Sequence, residues 1–135
     1  MPSTAKTRPY KNEKIDIHHI FPKDYCIGQG YDKNKWNSIV NKTPISASSN
    51  REIGDVAPSA YLGKLEKKGS VMQSDLDSYV ETHWIEHNLL RNNAFQSFMI
   101  DRAKKLLGAI EAVTGRTISG KNSDEVQQMF GAPLD

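Results

Sequence analysis

Two histidines stand side by side in the run Asp16-Ile17-His18-His19-Ile20-Phe21-Pro22-Lys23, and asparagines follow at Asn41 and Asn50. Adjacent imidazoles in an apolar, β-branched run are costly to bury and pack poorly, which points to chemistry rather than core filling. An imidazole titrates near neutrality, so it can take a proton from water, and it is also a ready metal ligand. Phosphodiester hydrolysis asks for such a set. It needs an activated water, neutralisation of the charge on the phosphorane, and stabilisation of the leaving oxygen. One hydrated Mg²⁺-type ion held by a few protein ligands can supply the last two. A base and a ligand side by side, with a further ligand from another element, meets that need, and His18, His19 and Asn50 match it. The plainer readings are a strand-end histidine pair satisfied by backbone and water, and a helix N-cap for Asn50.

The elements that must position these residues are short. Lys14 to Ile20 alternates and is rich in isoleucine, so it reads as a strand closed by Pro22. Lys23 to Asn37 contains Gly28, Gly30, Asp32 and Asn34 and reads as a turn-rich loop anchored by Tyr25, Tyr31 and Trp36. Ser38 to Thr43 reads as a second strand ended by Pro44. The pair forms an antiparallel hairpin that needs something packed on it. Ser46 to Ser49 offer N-caps for a short helix through Asn50 to Ile53, stopped by Gly54, and a second helix runs from Pro58 to Lys67 or Lys68. Ser74 caps a helix carrying Leu76, Tyr79 and Val80. Apolar residues at helical spacing from Phe95 to Val113 predict a long helix over Asn93 to Thr114, ended by Gly115. Ser123 caps a last turn through Phe130.

These residues carry a resemblance. Asp16 to Lys23 resembles the signature of His-Me finger, or HNH, nucleases, in which a metal ligand immediately precedes the general base. Asn41 and Asn50 lie nine positions apart, similar to the HNH domain of CRISPR nucleases. More narrowly, His18 to Lys23, Ser38 to Pro44, Asn50 to Gly54 and Ala57 to Tyr61 resemble the C-terminal nuclease domain of GmrSD-type modification-dependent restriction endonucleases. The likeness continues through His83-Trp84-Ile85, Leu89-Leu90-Arg91, Phe95, Phe98 and Arg102.

The resemblance implies an α+β fold, with a ββα-metal hairpin and helix packed with a C-terminal helical layer. The expected parts are a flexible arm over 1–14, a nuclease core over 15–68, a helical subdomain over 71–120 and a short helix and tail over 121–135. It implies His19 as general base, Asn41 as the residue that braces the loop or orients His19, and His18 and Asn50 as metal ligands. Arg51, Lys23 and Lys42 are the expected phosphate contacts. One divalent ion is implied, Mg²⁺ first, with Mn²⁺, Ni²⁺ or Zn²⁺ as alternatives. Many relatives have an acidic residue where His18 stands, and imidazole shifts the preference toward the softer ions. The implied substrate is DNA, possibly base-modified. The implied partner is an N-terminal nucleotide-hydrolysing recognition domain or separate chain, which makes this chain a detached effector of a restriction or phage-defence system. Other functional classes consistent with the residues are a DNA-binding module without turnover and a structural zinc domain.

Composition narrows the setting. At 135 residues the chain fits a single domain. No apolar run approaches the roughly 20 residues of a membrane span. Met1 to Lys14 lacks the apolar core of a secretory signal, and the lone Cys26 fits a reducing cytoplasm. Met1 to Ser70 holds 12 Lys/Arg against 7 Asp/Glu, an excess of +5, whereas the remainder holds 6 against 9. The basic half contains the histidine pair, which suits a polyanion, although a solvated basic face is the commoner reason for such a bias. His83 and His87 have the i, i+4 spacing of a zinc pair, but a structural role is favoured, with His83 on a backbone carbonyl. Arg91 and Arg102 read as surface ion pairs with Asp101, Glu86 or a helix end. Cys26 has no nucleophile setting.

Overall fold

The computed structural model describes residues 15–46 and 53–135, and every structural statement below concerns these. Strand β1 (Ile15–His19) pairs antiparallel with β2 (Lys42–Ser46), in the register His18 with Thr43 and His19 with Lys42. Between them lie α1 (Lys23–Gln29), α2 (Lys33–Trp36) and a 3₁₀ turn (Ile39–Asn41). After the hairpin come α3 (Pro58–Gly69), α4 (Gln73–Glu81), α5 (His87–Arg91), α6 (Phe95–Thr114) and α7 (Asp124–Phe130). The architecture is α+β, a small hairpin with helices. No helix among the described residues is long and apolar enough to cross a membrane.

The segment between the strands is helical rather than a loop. Pro22 opens α1, and Gly30 ends it at φ +78 in the left-handed region that glycine enters without a Cβ penalty. Asp32 then caps α2 by accepting from the Asn34 amide. The turn-forming residues are thus a stop signal and a start signal set close together. The second strand also begins later than its β-branched run suggests. Asn41 donates its amide to the Ser38 carbonyl, which folds 39–41 into a turn. Pro44 lies within β2, opposite Ile17. A two-stranded sheet leaves every strand an open edge, where a missing N–H costs nothing in the ladder.

Helix α3 starts at Pro58 as expected, and α6 ends at Gly115, φ +70. Asn93 is not the first turn of α6. It takes φ +54 and binds Ser59 at the start of α3 through both side-chain amide atoms. Ser74 does not cap α4, which follows Met72 without a side-chain cap. Ser123 does cap α7, accepting from the Val126 amide.

One hydrophobic core joins the hairpin and its short helices to the helices that follow. Fully buried Phe21 meets Phe95 and Phe98 of α6, with ring centroids 5.2 and 4.9 Å apart. Tyr31 stacks on Phe95 at 4.3 Å. The long helix is therefore packed against the residue two positions beyond His19.

Candidate active site at the end of the hairpin

His19 is the last residue of β1, and the turn that follows is held at almost every polar atom. Ile20 donates its amide to the Asn41 carbonyl at 2.7 Å, and its own carbonyl accepts from the buried Tyr61 hydroxyl at 2.7 Å. Phe21 donates its amide to Asn41 Oδ1 at 2.8 Å, and its carbonyl accepts from Asn41 Nδ2 at 3.0 Å. Nδ2 also donates to the Trp36 carbonyl at 2.9 Å. Asn41 is completely buried, and an amide is the side chain that can accept and donate at one place. It braces the site and takes no part in a surface. Burial pushes the Tyr61 hydroxyl well above the ordinary tyrosine range, so it stays protonated as the donor to Ile20.

The His19 ring sits edge-on to Trp36, centroids 5.4 Å apart at 68°. Its Nε2 is 3.0 Å from Asn37 Oδ1. Asn37 closes α2, its amide bonded to the Lys33 and Lys35 carbonyls. A carbonyl oxygen can only accept, so in the neutral ring this bond places the proton on Nε2 and the lone pair on Nδ1. Sequence reasoning missed Asn37. It lies 18 residues from His19, and only the short helices between them bring it into reach.

His18 belongs to the other face of the strand, with Asp16 two residues before it and Thr43 across from it. Both histidines pair with β2, so the strand ends after the pair and not between its members. The Nε2 atom of His18 is buried without a hydrogen-bond partner among the described residues. That fits a metal ligand, because a buried ring nitrogen otherwise needs a donor or acceptor. Asn50 and Arg51 lie outside the described residues, as does the expected arm over 1–14. Lys23 is exposed at the first turn of α1, and half-buried Lys42 stands opposite His19 in the hairpin.

Arg102 is the other residue whose role the sequence misjudges. It is 4% exposed and makes no surface ion pair. Its guanidinium reaches from α6 to the carbonyls of Val40 (2.7 Å), Lys42 (2.9 Å), Ile39 (3.4 Å) and His83 (3.2 Å). This fastens the long helix to the start of β2. Arg91 binds Asp77 and Glu66 rather than Asp101 or Glu86.

His83 and His87 do not act as a zinc pair among the described contacts. His83 Nδ1 meets the Thr43 hydroxyl at 3.1 Å, not a backbone carbonyl. Burial, and then the Arg102 charge, hold its pKa below the ordinary histidine value. His87 instead joins Glu81 and Glu86 in a group whose donor atoms could hold a metal ion. Glu81 Oε2 accepts from the His87 amide at 2.7 Å and lies 2.9 Å from Nδ1. Cys26 is fully buried, which pushes its thiol up to about 12, so it carries no thiolate near neutrality.

No family model matches the chain, and no solved structure matches it. The chain is similar over 52 residues, at 36% identity, to the uncharacterized protein MJ0686 of Methanocaldococcus jannaschii. That stretch is 38% of this chain and 9% of the archaeal protein, so the match spans about a tenth of that relative's length.

Proposed function

We propose that this chain is a metal-dependent DNA endonuclease domain of the HNH type, the effector part of a restriction or phage-defence system. The observation that carries the reading is the presentation of His19. The ring closes a strand, rests on Trp36, donates a hydrogen bond from Nε2 to Asn37 Oδ1, and precedes a turn clamped by Asn41. A general base needs this: one nitrogen fixed as donor and the other free to take a proton from water.

In that mechanism Nδ1 of His19 accepts the proton of the attacking water, and Asn37 holds the tautomer as the imidazolium forms. His18 and Asn50 are the residues that would hold a divalent ion, whose charge would neutralise the phosphorane and the leaving oxygen; since His18 and His19 leave opposite faces of β1, this reading requires ion and base to meet at the open end of the strand. Lys23 and Lys42 flank His19 in chain and in register, and with Arg51 they would seat the phosphate backbone. DNA, base-modified or not, is the substrate of this reading, and an N-terminal nucleotide-hydrolysing domain or chain is its partner.

The test is nicking of supercoiled plasmid across Mg²⁺, Mn²⁺, Ni²⁺ and Zn²⁺. Wild type should nick and His19→Ala should not, with circular dichroism and DNA binding retained. Nicking by His19→Ala would remove His19 as base. Binding of DNA without nicking under every metal would replace the enzyme with a DNA-binding module.

A further inference from the structure

The imidazole of His18 has a carboxylate beside it on the strand. Asp16 and His18 are two residues apart in β1, so their side chains leave the same face. Asp16 Oδ2 is 3.9 Å from His18 Nε2. That separation is too long for a hydrogen bond. The ring nitrogen is nevertheless buried and has no hydrogen-bond partner among the described residues. The Asp16 side chain is 41% exposed and that of His18 24%.

At a metal–ligand length of about 2.1 Å, two donors on one ion are separated by about 3.0 Å at a right angle and about 4.2 Å when opposed. The observed 3.9 Å corresponds to an angle of about 136°, so a shared ion requires the exposed Asp16 carboxylate to move in by about half an ångström, to the roughly 3.4 Å of tetrahedral donors. An ion shared by the two atoms would satisfy the nitrogen, and the carboxylate would supply the hard, charged ligand that an imidazole cannot.

We propose that Asp16 is a metal ligand, which with His18 forms a carboxylate–imidazole pair for one divalent cation of borderline hardness, Mn²⁺ or Zn²⁺ as readily as Mg²⁺. The proposal rests on the nuclease reading for its purpose, but its test does not.

Mn²⁺ binding to the full chain, read by electron paramagnetic resonance of free Mn²⁺ and by calorimetry, tests it. The background carries Glu81→Gln and Glu86→Gln, so that ions taken up by that separate group do not count. In this background the protein should bind one Mn²⁺, and Asp16→Asn should weaken binding tenfold or more with an unchanged melting temperature. Zn²⁺ should shift the His18 ring nitrogens in NMR, and Asp16→Asn should reduce that shift at equal metal. Equal Mn²⁺ affinity in the two proteins, or no Mn²⁺ bound by the background protein, overturns the proposal. Asp16-dependent binding without plasmid nicking leaves the ligand assignment standing and removes the nuclease reading.

Discussion

Replacing Asn41 by alanine tests the clamp that carries the site. The side chain is wholly buried and makes three hydrogen bonds, to the Phe21 amide, the Phe21 carbonyl and the Trp36 carbonyl. Each bond contributes about 1 kcal/mol net, and a buried group left unpaired costs about 1–3 kcal/mol. The loss should therefore be about 3 kcal/mol, from a domain total of about 5–15 kcal/mol. Urea unfolding followed by the fluorescence of Trp36 and Trp84 reads it. With a slope of about 1.5 kcal/mol/M, the midpoint should fall by about 2 M with the slope unchanged. Asn41→Asp sharpens the test. It keeps an oxygen for the Phe21 amide but turns a second oxygen toward two carbonyls, so at neutral pH it should be less stable than the alanine variant. Its buried carboxyl would have a folded-state pKa above the unfolded value of about 3.9. The folded form then binds more protons, and stability is greatest on the acid side and falls as pH rises through that window. A loss below about 1 kcal/mol for Asn41→Ala would refute the reasoning, because the turn after His19 would then be held by something else.

Three further outcomes are expected. Arg102→Ala should cost about 3 kcal/mol, since bonds from a charged donor to buried carbonyls contribute about 1.5–3 kcal/mol each and are not additive. Arg102→Lys should recover only part of this in thermal unfolding, because an ammonium lacks the planar fork that spans Val40, Lys42 and His83. His83 should make the protein acid-sensitive. Its folded pKa lies below the unfolded value of about 6.5, so the unfolded chain binds the extra proton and stability is lost as pH falls from about 6.5 through the folded pKa. His83→Gln should flatten that part of the stability–pH curve. Cys26, with its thiol at about 12 and no exposure, should resist iodoacetamide at pH 8 in the folded protein and react fully in urea, and rapid native labelling would contradict its burial.

What could be read without coordinates was whatever is encoded within a few neighbours. Proline at the start of α3, Gly115 after α6, Ser123 before α7 and the apolar stripe of α6 are signals spanning at most a turn or two, and the elements follow them. Asn41 stood out in the chain through its nine-position spacing from Asn50, and its buried bonds to Phe21 and Trp36 are what the tertiary structure adds. The segment over Lys23–Trp36 was not legible, since Gly30 and Asp32 mark a loop or two abutting helix ends equally well. What decided for helices is the burial of Cys26 and Trp36 and the stacking of Tyr31 on Phe95, contacts reaching to α6.

The residues alone placed His18 and His19 near the end of a strand read as Lys14 to Ile20 and closed by Pro22, and the strand ends one residue earlier, at His19. Tertiary structure decided what each ring meets. Asn37 reaches His19 because two short helices fold it back. Arg102 leaves the surface because four carbonyls from two other segments converge where α6 crosses the hairpin. Strand alternation separates the two imidazoles onto opposite faces, leaving Asp16 as the neighbour of one and Asn37 as the partner of the other. Local sequence sets which groups are available and which way they alternate, whereas hydrogen-bond partners distant in the chain are chosen only when the core brings them together.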